Sequence, residues 1–385
     1  MEIVVLGGSG VIGSYAVKYL SNMDIFSRVL IADSNEKKAK ELSKISKKID
    51  FKKIDATDEK SLKSVLKDVD IAINCIGPFY KFAPKILNSV IEAGIDYVDV
   101  CDDYDTTEKL LDNYNKKAID AGTTCIIGLG ASPGLTNIIA SLAASQLTSV
   151  DSIKVYVTRS IEEEAGGAIP YHMLHCWLGE IPIFKDGRFK KVRGLIDGEE
   201  LAMFPEPFGQ SKVYYFGHPE QITLPRYIKG VKNVCCKGSF YPPEFRNSLL
   251  QIQSFGLLSE NPINVSGNKI KPIDFTTEYL DKIRKKIIKN SGKIPLGGSV
   301  MVEVSGKVED QPKIIRYSGT SHMRQGTATP AAVGAKMIAT GDIKKPGVNA
   351  PEGCISPEKF VMHFLNIQGF GDIWLTVSQK MSALP

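Results

Sequence analysis

Long hydrophobic runs, dense basic clusters and paired cysteine motifs are all missing from this sequence. No apolar run in its 385 residues approaches the roughly 20 residues that a membrane-spanning helix needs. The net charge is only +5, and no cluster of Lys and Arg is interleaved with aromatic residues. We therefore expect neither a membrane nor a nucleic acid as a partner.

The cysteines indicate a reduced protein. Seven are present and none forms a C-x-x-C pair, so a zinc or redox motif is not expected. Cys75, Cys101 and Cys125 lie in apolar runs, where a thiol packs as a small hydrophobic group. The N-terminus enters a strand-like run at once, leaving no room for a signal peptide. These features predict a cytoplasmic protein without a metal site.

The sequence opens with a glycine-rich turn. A β-branched run from Ile3 to Leu6 leads through glycines into a helical pattern, and Gly8, Gly10 and Gly13 match G-x-G-x-x-G. Such glycines let the backbone approach a pyrophosphate and leave free N–H groups at a helix N-terminus. A turn that needs glycine only for steric reasons is the alternative.

One carboxylate indicates which cofactor is bound, and one missing motif excludes a class of dehydrogenase chemistry. Asp33 ends a second strand-like run, about 20 residues past Gly13, where an acid is expected to bind the ribose hydroxyls of NAD. Lys37 and Lys38 follow closely and leave NADP possible, and Asp33 could instead cap a helix. Gly7, Gly10 and Gly13 also fit the glycine pattern of extended short-chain dehydrogenases. Those enzymes rely on a Tyr-x-x-x-Lys pair, which this sequence lacks, so alcohol oxidation by their mechanism is not expected.

Alternating strand and helix patterns predict an α/β fold, a doubly wound parallel Rossmann sheet with an inserted α+β domain. We expect a dinucleotide-binding domain over 1–137, completed by C-terminal helices in 325–385, and a substrate-binding and dimerisation domain over 138–324. The expected strands are 3–6, 28–33, 51–56, 70–76, 97–101 and 124–129. The expected helices include Glu36–Ile45, Glu59–Leu66, Pro84–Ala93, Thr106–Ala121, Asp274–Lys289 and Thr327–Ala339.

Polar and small residues follow several of these strands, at the edge where α/β sheets bind ligands. The segments are Asp55-Ala56, Asn74–Pro78, Asp99–Tyr104 and Gly130–Gly134. Each has a simpler interpretation as a helix cap or a turn. Their convergence on one sheet edge favours a binding site.

The middle of the chain contains further candidates. His172 and His175 would share one helix face, and either could act as a base or bind a substrate carboxylate; a purely structural role is the alternative. A metal site would need more ligands at suitable spacing. Arg226, in a proline-rich segment with His218 and Glu220, could bind a substrate carboxylate through its guanidinium, although a surface position is the alternative; Arg159 is a candidate of the same kind.

The sequence resembles the saccharopine dehydrogenase family. The resemblance is carried by segments 7–13, 74–78, 97–100, 128–137, 327–331 and 347–352. It implies NAD(P)-linked oxidation or reduction at a carbon–nitrogen bond of an amino acid or secondary amine, by a homodimer. By position it implies cofactor contacts at Gly8, Gly10, Val11, Ile12, Asp33, Asp55, Ala56, Cys75 and Ile76. Ser9, Gly13, Ser34, Gly77 and Pro78 complete the expected cofactor site.

The resemblance places Asp103 and Tyr104 beside the substrate. Saccharopine reductases have Leu-Asp-Pro-Gly where this chain has Ala131-Ser132-Pro133-Gly134, so saccharopine itself is doubtful and lysine or a carboxyalkyl-polyamine is an alternative substrate. We expect Tyr80, Asp103 and His172 to be catalytic, and Tyr104, Ser132, His175 and Arg226 to bind the substrate. A non-catalytic NAD(P)-binding sensor or scaffold is the remaining hypothesis.

Overall fold

A computed structural model describes residues 1–163, 169–367 and 373–379, which form two large sheets with flanking helices. The first sheet is parallel, with seven strands in the order β17-β6-β5-β4-β1-β2-β3. Its strands are β1 (Glu2–Leu6), β2 (Arg28–Asp33), β3 (Ile49–Lys53), β4 (Ile71–Asn74), β5 (Asp96–Asp99), β6 (Thr124–Ile126) and β17 (Gly347–Asn349). The predicted Rossmann sheet is therefore confirmed.

Helices connect these strands and cover both faces of the sheet. They are α1 (Gly13–Ser21), α2 (Glu36–Ser43), α3 (Glu59–Leu66), α4 (Phe79–Ala93), α5 (Tyr104–Ala121) and α6 (Leu135–Ala144). The core strands β1 and β4 are buried almost throughout, which explains their unbroken runs of apolar residues. The helix α4 begins five residues before Pro84, the predicted start, because Phe79 and Ala83 are already buried against the core on the helix face that continues past Pro84.

The second sheet is mixed and lies in the inserted region. Its main path runs β10-β11-β12-β7-β15-β16-β18, and β8 and β9 form an antiparallel pair that joins at β12. Its strands are β7 (Ser149–Ser160), β8 (Glu180–Lys185), β9 (Arg188–Arg193), β10 (Glu200–Met203), β11 (Gln210–Tyr215), β12 (Asn233–Tyr241), β15 (Gly298–Val308), β16 (Gln311–Ser321) and β18 (Ile373–Gln379). The other elements here are α7 (Ile169–Cys176), α8 (Glu220–Tyr227), α9 (Glu244–Ser254), α10 (Pro272–Asn290) and the hairpin β13 (Ile263–Val265) and β14 (Asn268–Ile270).

The C-terminal part of the chain divides between the two sheets. The helix α11 (Met323–Ala339) packs against α1, and β17 joins the first sheet beside β6, followed by α12 (Pro351–Cys354) and α13 (Pro357–Leu365). The expectation of helices through 325–385 is wrong for two strands in that range, because β17 joins the first sheet and β18 pairs with β16 in the second sheet. Residues 368–372 and 380–385 of that expectation lie outside the described residues, and the domain boundaries stay a prediction. No helix of the described part is long and apolar enough to cross a membrane.

Candidate active site

The glycine turn between β1 and α1 has the geometry that a bound pyrophosphate needs. Gly7 has a φ of +76°, which favours glycine, and a Cβ on Gly13 would lie 2.2 Å from the Gly7 carbonyl oxygen. In the described residues, the N–H groups of Val11 and Ile12 make no hydrogen bond, and the first turn of α1 has no acidic side chain. The turn therefore offers unpaired donors and a helix N-terminus to an anion.

Asp33 lies at the carboxyl end of β2, against this turn. Its Oδ2 accepts a hydrogen bond from the Ser9 N–H at 2.9 Å, and its Oδ1 accepts one from the Asn35 N–H at 2.8 Å. These bonds hold the carboxylate at the edge of a cleft of about 910 Å³. The cleft and the free N–H groups together fit a dinucleotide.

Most of the predicted cofactor residues line this cleft. They are Gly10, Val11, Ile12, Gly13, Asp33, Ser34, Asp55, Ala56, Cys75, Ile76, Gly77 and Pro78. Gly8 and Ser9 lie behind the cleft surface, where Ser9 anchors Asp33. The Asp55 carboxylate also accepts hydrogen bonds from the N–H and hydroxyl of Thr57, so it closes a turn as the simpler interpretation expects. Lys53 and Thr327 are lining residues that the sequence interpretation missed.

A second, smaller cavity of about 160 Å³ adjoins the inner end of the cleft. It lies between α6, α11 and the second sheet. Five residues line both spaces: Asp102, Arg159, His172, Met323 and Thr327. A molecule in the small cavity would thus meet the cofactor cleft at a surface that carries an imidazole, a carboxylate and a guanidinium.

His172 is held at this junction by two carboxylates. Its Nδ1 lies 3.0 Å from Asp103 Oδ1 and 3.2 Å from Asp102 Oδ1, and Asp103 Oδ2 accepts the Tyr80 N–H at 3.0 Å. Burial would lower the pKa of His172, but the charge of Asp102 and the hydrogen bond to Asp103 outweigh it and raise this pKa. Because Nδ1 is engaged, Nε2 is the ring nitrogen that a ligand can use.

The pKa values of the two carboxyl groups are shifted in opposite directions. Burial would raise the pKa of Asp103, but the hydrogen bond and charge of His172 hold it below its usual value. For Asp102, burial outweighs the charge of His172 and the pKa is raised. Asp103 is therefore the carboxylate that orients the imidazole, and Asp102 is the carboxyl group that lines both cavities.

A second histidine–carboxylate pair opens on the small cavity. His218 Nδ1 lies 2.6 Å from Glu220 Oε2, and Glu220 Oε1 accepts hydrogen bonds from Ser132 Oγ at 2.5 Å and Thr136 Oγ1 at 2.7 Å. Burial would raise the pKa of Glu220, but the charge and hydrogen bond of His218 keep it lowered. Ser132 lines the cavity, where its hydroxyl group donates to Glu220, and its expected substrate contact stays a prediction. Both His218 and Glu220 are buried, although the prolines around them in the sequence favour a surface turn.

Arg159, rather than Arg226, reaches the junction. Arg226 lies outside both cavities, where it pairs with Asp112 at 2.7 Å and Glu108 at 3.5 Å and joins α8 to α5. This pairing removes the structural basis for its expected substrate contact. Among the described residues, no carboxylate lies within ion-pair distance of the Arg159 guanidinium, which contacts Met323 Sδ at 3.7 Å.

Three other predicted residues lie beside the site without lining it. His175 Nε2 lies 3.0 Å from Asp105 Oδ1, and its ring stacks on Tyr104 at 5.9 Å. Burial raises the pKa of Tyr80 and of Tyr104 to about 12, which makes each phenol a poor base at neutral pH. Tyr80 contributes its backbone N–H to Asp103, so we assign it a positioning role in place of the predicted catalytic one.

Two groups of side chains have the spacing of metal ligands. They are Asp103, His172 and Cys176, and His218, Glu220 and Cys236. Burial raises the pKa of both thiols well above the usual value. In the structure each group consists of a hydrogen-bonded histidine–carboxylate pair beside a buried cysteine.

The fold and the site define a nicotinamide-dependent oxidoreductase, and comparisons with known proteins agree. Residues 3–126 match the profile of the saccharopine dehydrogenase NADP binding domain, and residues 130–369 match that of the saccharopine dehydrogenase C-terminal domain. The chain therefore belongs to the saccharopine dehydrogenase family of NAD(P)-dependent oxidoreductases. This confirms the resemblance seen in the sequence, and the nicotinamide cofactor with it.

Individual relatives differ in how much of the chain they cover. A carboxynorspermidine synthase of Vibrio cholerae is 23% identical over 395 residues, which is 94% of this chain and 94% of that protein. A lipid droplet localized protein of Caenorhabditis elegans is 28% identical over 139 residues, but these cover only 33% of its length. A saccharopine dehydrogenase (L-Glu forming) structure from Saccharomyces cerevisiae has the same fold, with a TM-score of 0.69, 16% identity, and coverage of 99% of this chain and 100% of that one.

Proposed function

We propose that this protein transfers a hydride between a nicotinamide cofactor and a carbon that bears nitrogen, in an amino acid or a secondary amine. The observation that carries the proposal is the junction of the two cavities. There His172, Asp102 and Arg159 face both the cofactor cleft and the adjoining small cavity. The glycine turn, free N–H groups and Asp33 would hold the cofactor, which supplies the hydride acceptor or donor when it is bound.

The residues of the chain supply the proton chemistry. With Asp103 bonded to Nδ1, His172 carries a proton there and presents the Nε2 lone pair. In the oxidative direction, Nε2 accepts a proton from the substrate nitrogen while the carbon loses hydride. Water then adds to the resulting carbon–nitrogen double bond to give a carbinolamine, and the protonated imidazole gives its proton to the nitrogen. As the amine leaves, the neutral imidazole takes the proton of the hydroxyl group that becomes the carbonyl. Arg159 would bind a carboxylate of the substrate and fix the reacting carbon at the junction.

Paired histidine variants test this assignment. We expect His172→Gln to lower kcat by about 10² to 10⁴, the usual contribution of a general acid or base, while cofactor affinity changes less than twofold. His175→Gln is the matched control, because His175 pairs with Asp105 outside both cavities. Equal losses in the two variants, or unchanged turnover in His172→Gln, would remove the proposed role. The assay is the absorbance of reduced cofactor in both reaction directions, with lysine, saccharopine, norleucine and a carboxyalkyl-polyamine.

We further propose that NAD is the preferred cofactor, although the matching profile is named for NADP. The support is the Asp33 carboxylate, which is held at the end of β2 by Ser9 and Asn35 and would repel a 2′-phosphate. Lys53, which lines the same cleft, is the residue that could weaken this preference. Asp33→Asn should reduce the preference for NAD at least tenfold in calorimetric titrations. Equal or tighter binding of NADP by the unmodified protein would contradict the proposal.

A further inference from the structure

The small cavity has a polar end and an apolar end, and this division bears on the substrate. The polar end is the junction with the cofactor cleft. The opposite end lies between α6 and the second sheet, where Leu135 and Ile139 face Val300, Val302 and Tyr317. Leu135, Ile139 and Val302 are buried, so this end is lined mainly by hydrocarbon and an aromatic ring. Hydroxyl groups line it as well: those of Thr136 and Ser299 donate to Glu220 and to the Gly319 carbonyl, and that of Thr320 has no partner in the described part of the chain.

The charges that face the cavity are few. Arg159 is the one arginine or lysine among the described residues that line it, and Asp102 is the one carboxylate. The two histidines are already matched, His172 by Asp103 and His218 by Glu220. The charges of Glu163 and Asp102 act on the Arg159 guanidinium, but in the described part of the chain neither carboxylate forms an ion pair with it, so it is the cation that a ligand's carboxylate can bind.

Strand geometry places this guanidinium and the apolar surface on the same face of the sheet. Arg159 and Val157 are two residues apart on β7, so their side chains share a face. In the antiparallel register, Val157 lies opposite Val300, and Val302 is two residues further along β15. A molecule that places a carboxylate on Arg159 thus extends along a row of valines towards α6.

We propose that the substrate is an α-amino acid with a single carboxylate and an apolar side chain, bound with its carboxylate on Arg159 and its side chain between α6 and the second sheet. This inference rests on the proposed function and makes its substrate class specific. The substrate nitrogen then lies towards Asp102 and His172, where the proton must be transferred. The carbon between these groups faces the cofactor cleft.

Charge and size argue against the other substrates of this chemical type. Saccharopine has three carboxylates, and a polyamine has several ammonium groups; either would bury charges against Leu135, Ile139 and Val302 without a partner. The cavity of about 160 Å³ is also below the roughly 300–1,000 Å³ that is typical of pockets for larger ligands. A compact amino acid satisfies both restrictions.

Calorimetric titration of the complex with reduced cofactor tests the inference, because no turnover occurs in that complex. We expect L-norleucine to bind at least tenfold more tightly than L-lysine, L-glutamate or saccharopine. Arg159→Gln should weaken norleucine binding about 100-fold, whereas Arg226→Gln, which alters an arginine outside the cavity, should leave it unchanged. Val300→Asp should invert the preference towards L-lysine, since the new carboxylate would pair with the ε-ammonium group.

The outcomes separate this inference from the proposed function. Tighter binding of saccharopine or a polyamine than of norleucine overturns the inference, and their oxidation in the cofactor assay would leave the proposed function standing. Norleucine that binds through Arg159 but is not oxidised, while another of the tested amines reduces the cofactor, overturns the inference and leaves the proposed function standing. Cofactor reduction with none of the tested compounds refutes the proposed function. Binding of none of these compounds at 10 mM overturns the inference.

Discussion

Glu352, on α12, provides a quantitative test of how the C-terminal segment is held beneath the site. Its Oε2 accepts a hydrogen bond from Asn137 Nδ2 at 3.0 Å, and its Oε1 is buried without a hydrogen-bond partner in the described part of the protein. Burial raises the pKa of this carboxyl from 4.5 to about 7. An ionised Glu352 is therefore unfavourable in the folded state.

The sign and size of the effect follow from linkage. A carboxyl whose pKa is raised by folding holds its proton more tightly when folded, so the free energy of unfolding falls as pH rises from 4.5 to about 7. Above that range the penalty is complete and amounts to roughly 3 kcal/mol, at about 1.4 kcal/mol per tenfold change in the ionisation constant. Glu352→Gln cannot ionise and should avoid this penalty.

Urea denaturation at two pH values measures the difference. We expect Glu352→Gln to be more stable than the unmodified protein by about 1 to 3 kcal/mol at pH 8 and equal to it within about 0.5 kcal/mol at pH 4. Glu41→Gln, at an exposed position of α2, is the control and should have no effect at either pH. The same stability change at both pH values would show that Glu352 is not protonated by burial.

Two further predictions concern the cofactor turn and the histidine. Gly13→Ala places a Cβ 2.2 Å from the Gly7 carbonyl oxygen, so cofactor affinity should fall at least 100-fold by calorimetry; Gly94→Ala, at a helix end with no atom near the new Cβ, should lower stability but not affinity. A loss of affinity shared by both variants would indicate general destabilisation instead. The pKa of His172 is raised above 6.5, and the base must be neutral to accept a proton. We therefore expect kcat/KM for oxidation to decline on the acidic side with an apparent pKa above 6.5. Asp103→Asn removes one of the carboxylates that raise the pKa of His172, so the acidic decline of kcat/KM should move to lower pH. An unchanged pH profile would exclude His172 as the titrating group.

Local sequence patterns were sufficient for the fold of the N-terminal half. The buried strands β1 and β4 are continuous apolar runs, and the turn after β1 requires glycine at Gly7 and Gly13. Each feature can therefore be recognised within a few consecutive residues of the sequence. The same holds for Asp33, whose distance from the turn follows from the length of α1 and β2. The twelve predicted residues that line the cleft all belong to such segments.

The substrate side was less predictable because it depends on long-range pairing. Arg159 and Arg226 look alike in sequence, and only the packing of α8 on α5 pairs Arg226 with Asp112 and leaves Arg159 in the cavity. The same is true of Glu220, which is buried because Ser132 and Thr136 approach it from α6 and the turn before it. The last strand, β18, has its partner more than 50 residues away in the chain, so its membership of the second sheet has no local signal.

Isotope transfer tests the central claim most directly. The protein with oxidised cofactor would be incubated with norleucine, lysine and saccharopine, each deuterated at the carbon that bears nitrogen, and the cofactor analysed by mass spectrometry. We expect one of these substrates to deliver its deuterium to the nicotinamide ring, and His172→Gln to slow the transfer by about 10² to 10⁴ while the cofactor remains bound. Oxidation of an alcohol carbon in place of the amine carbon, or deuterium transfer that is unaffected in His172→Gln, would contradict it.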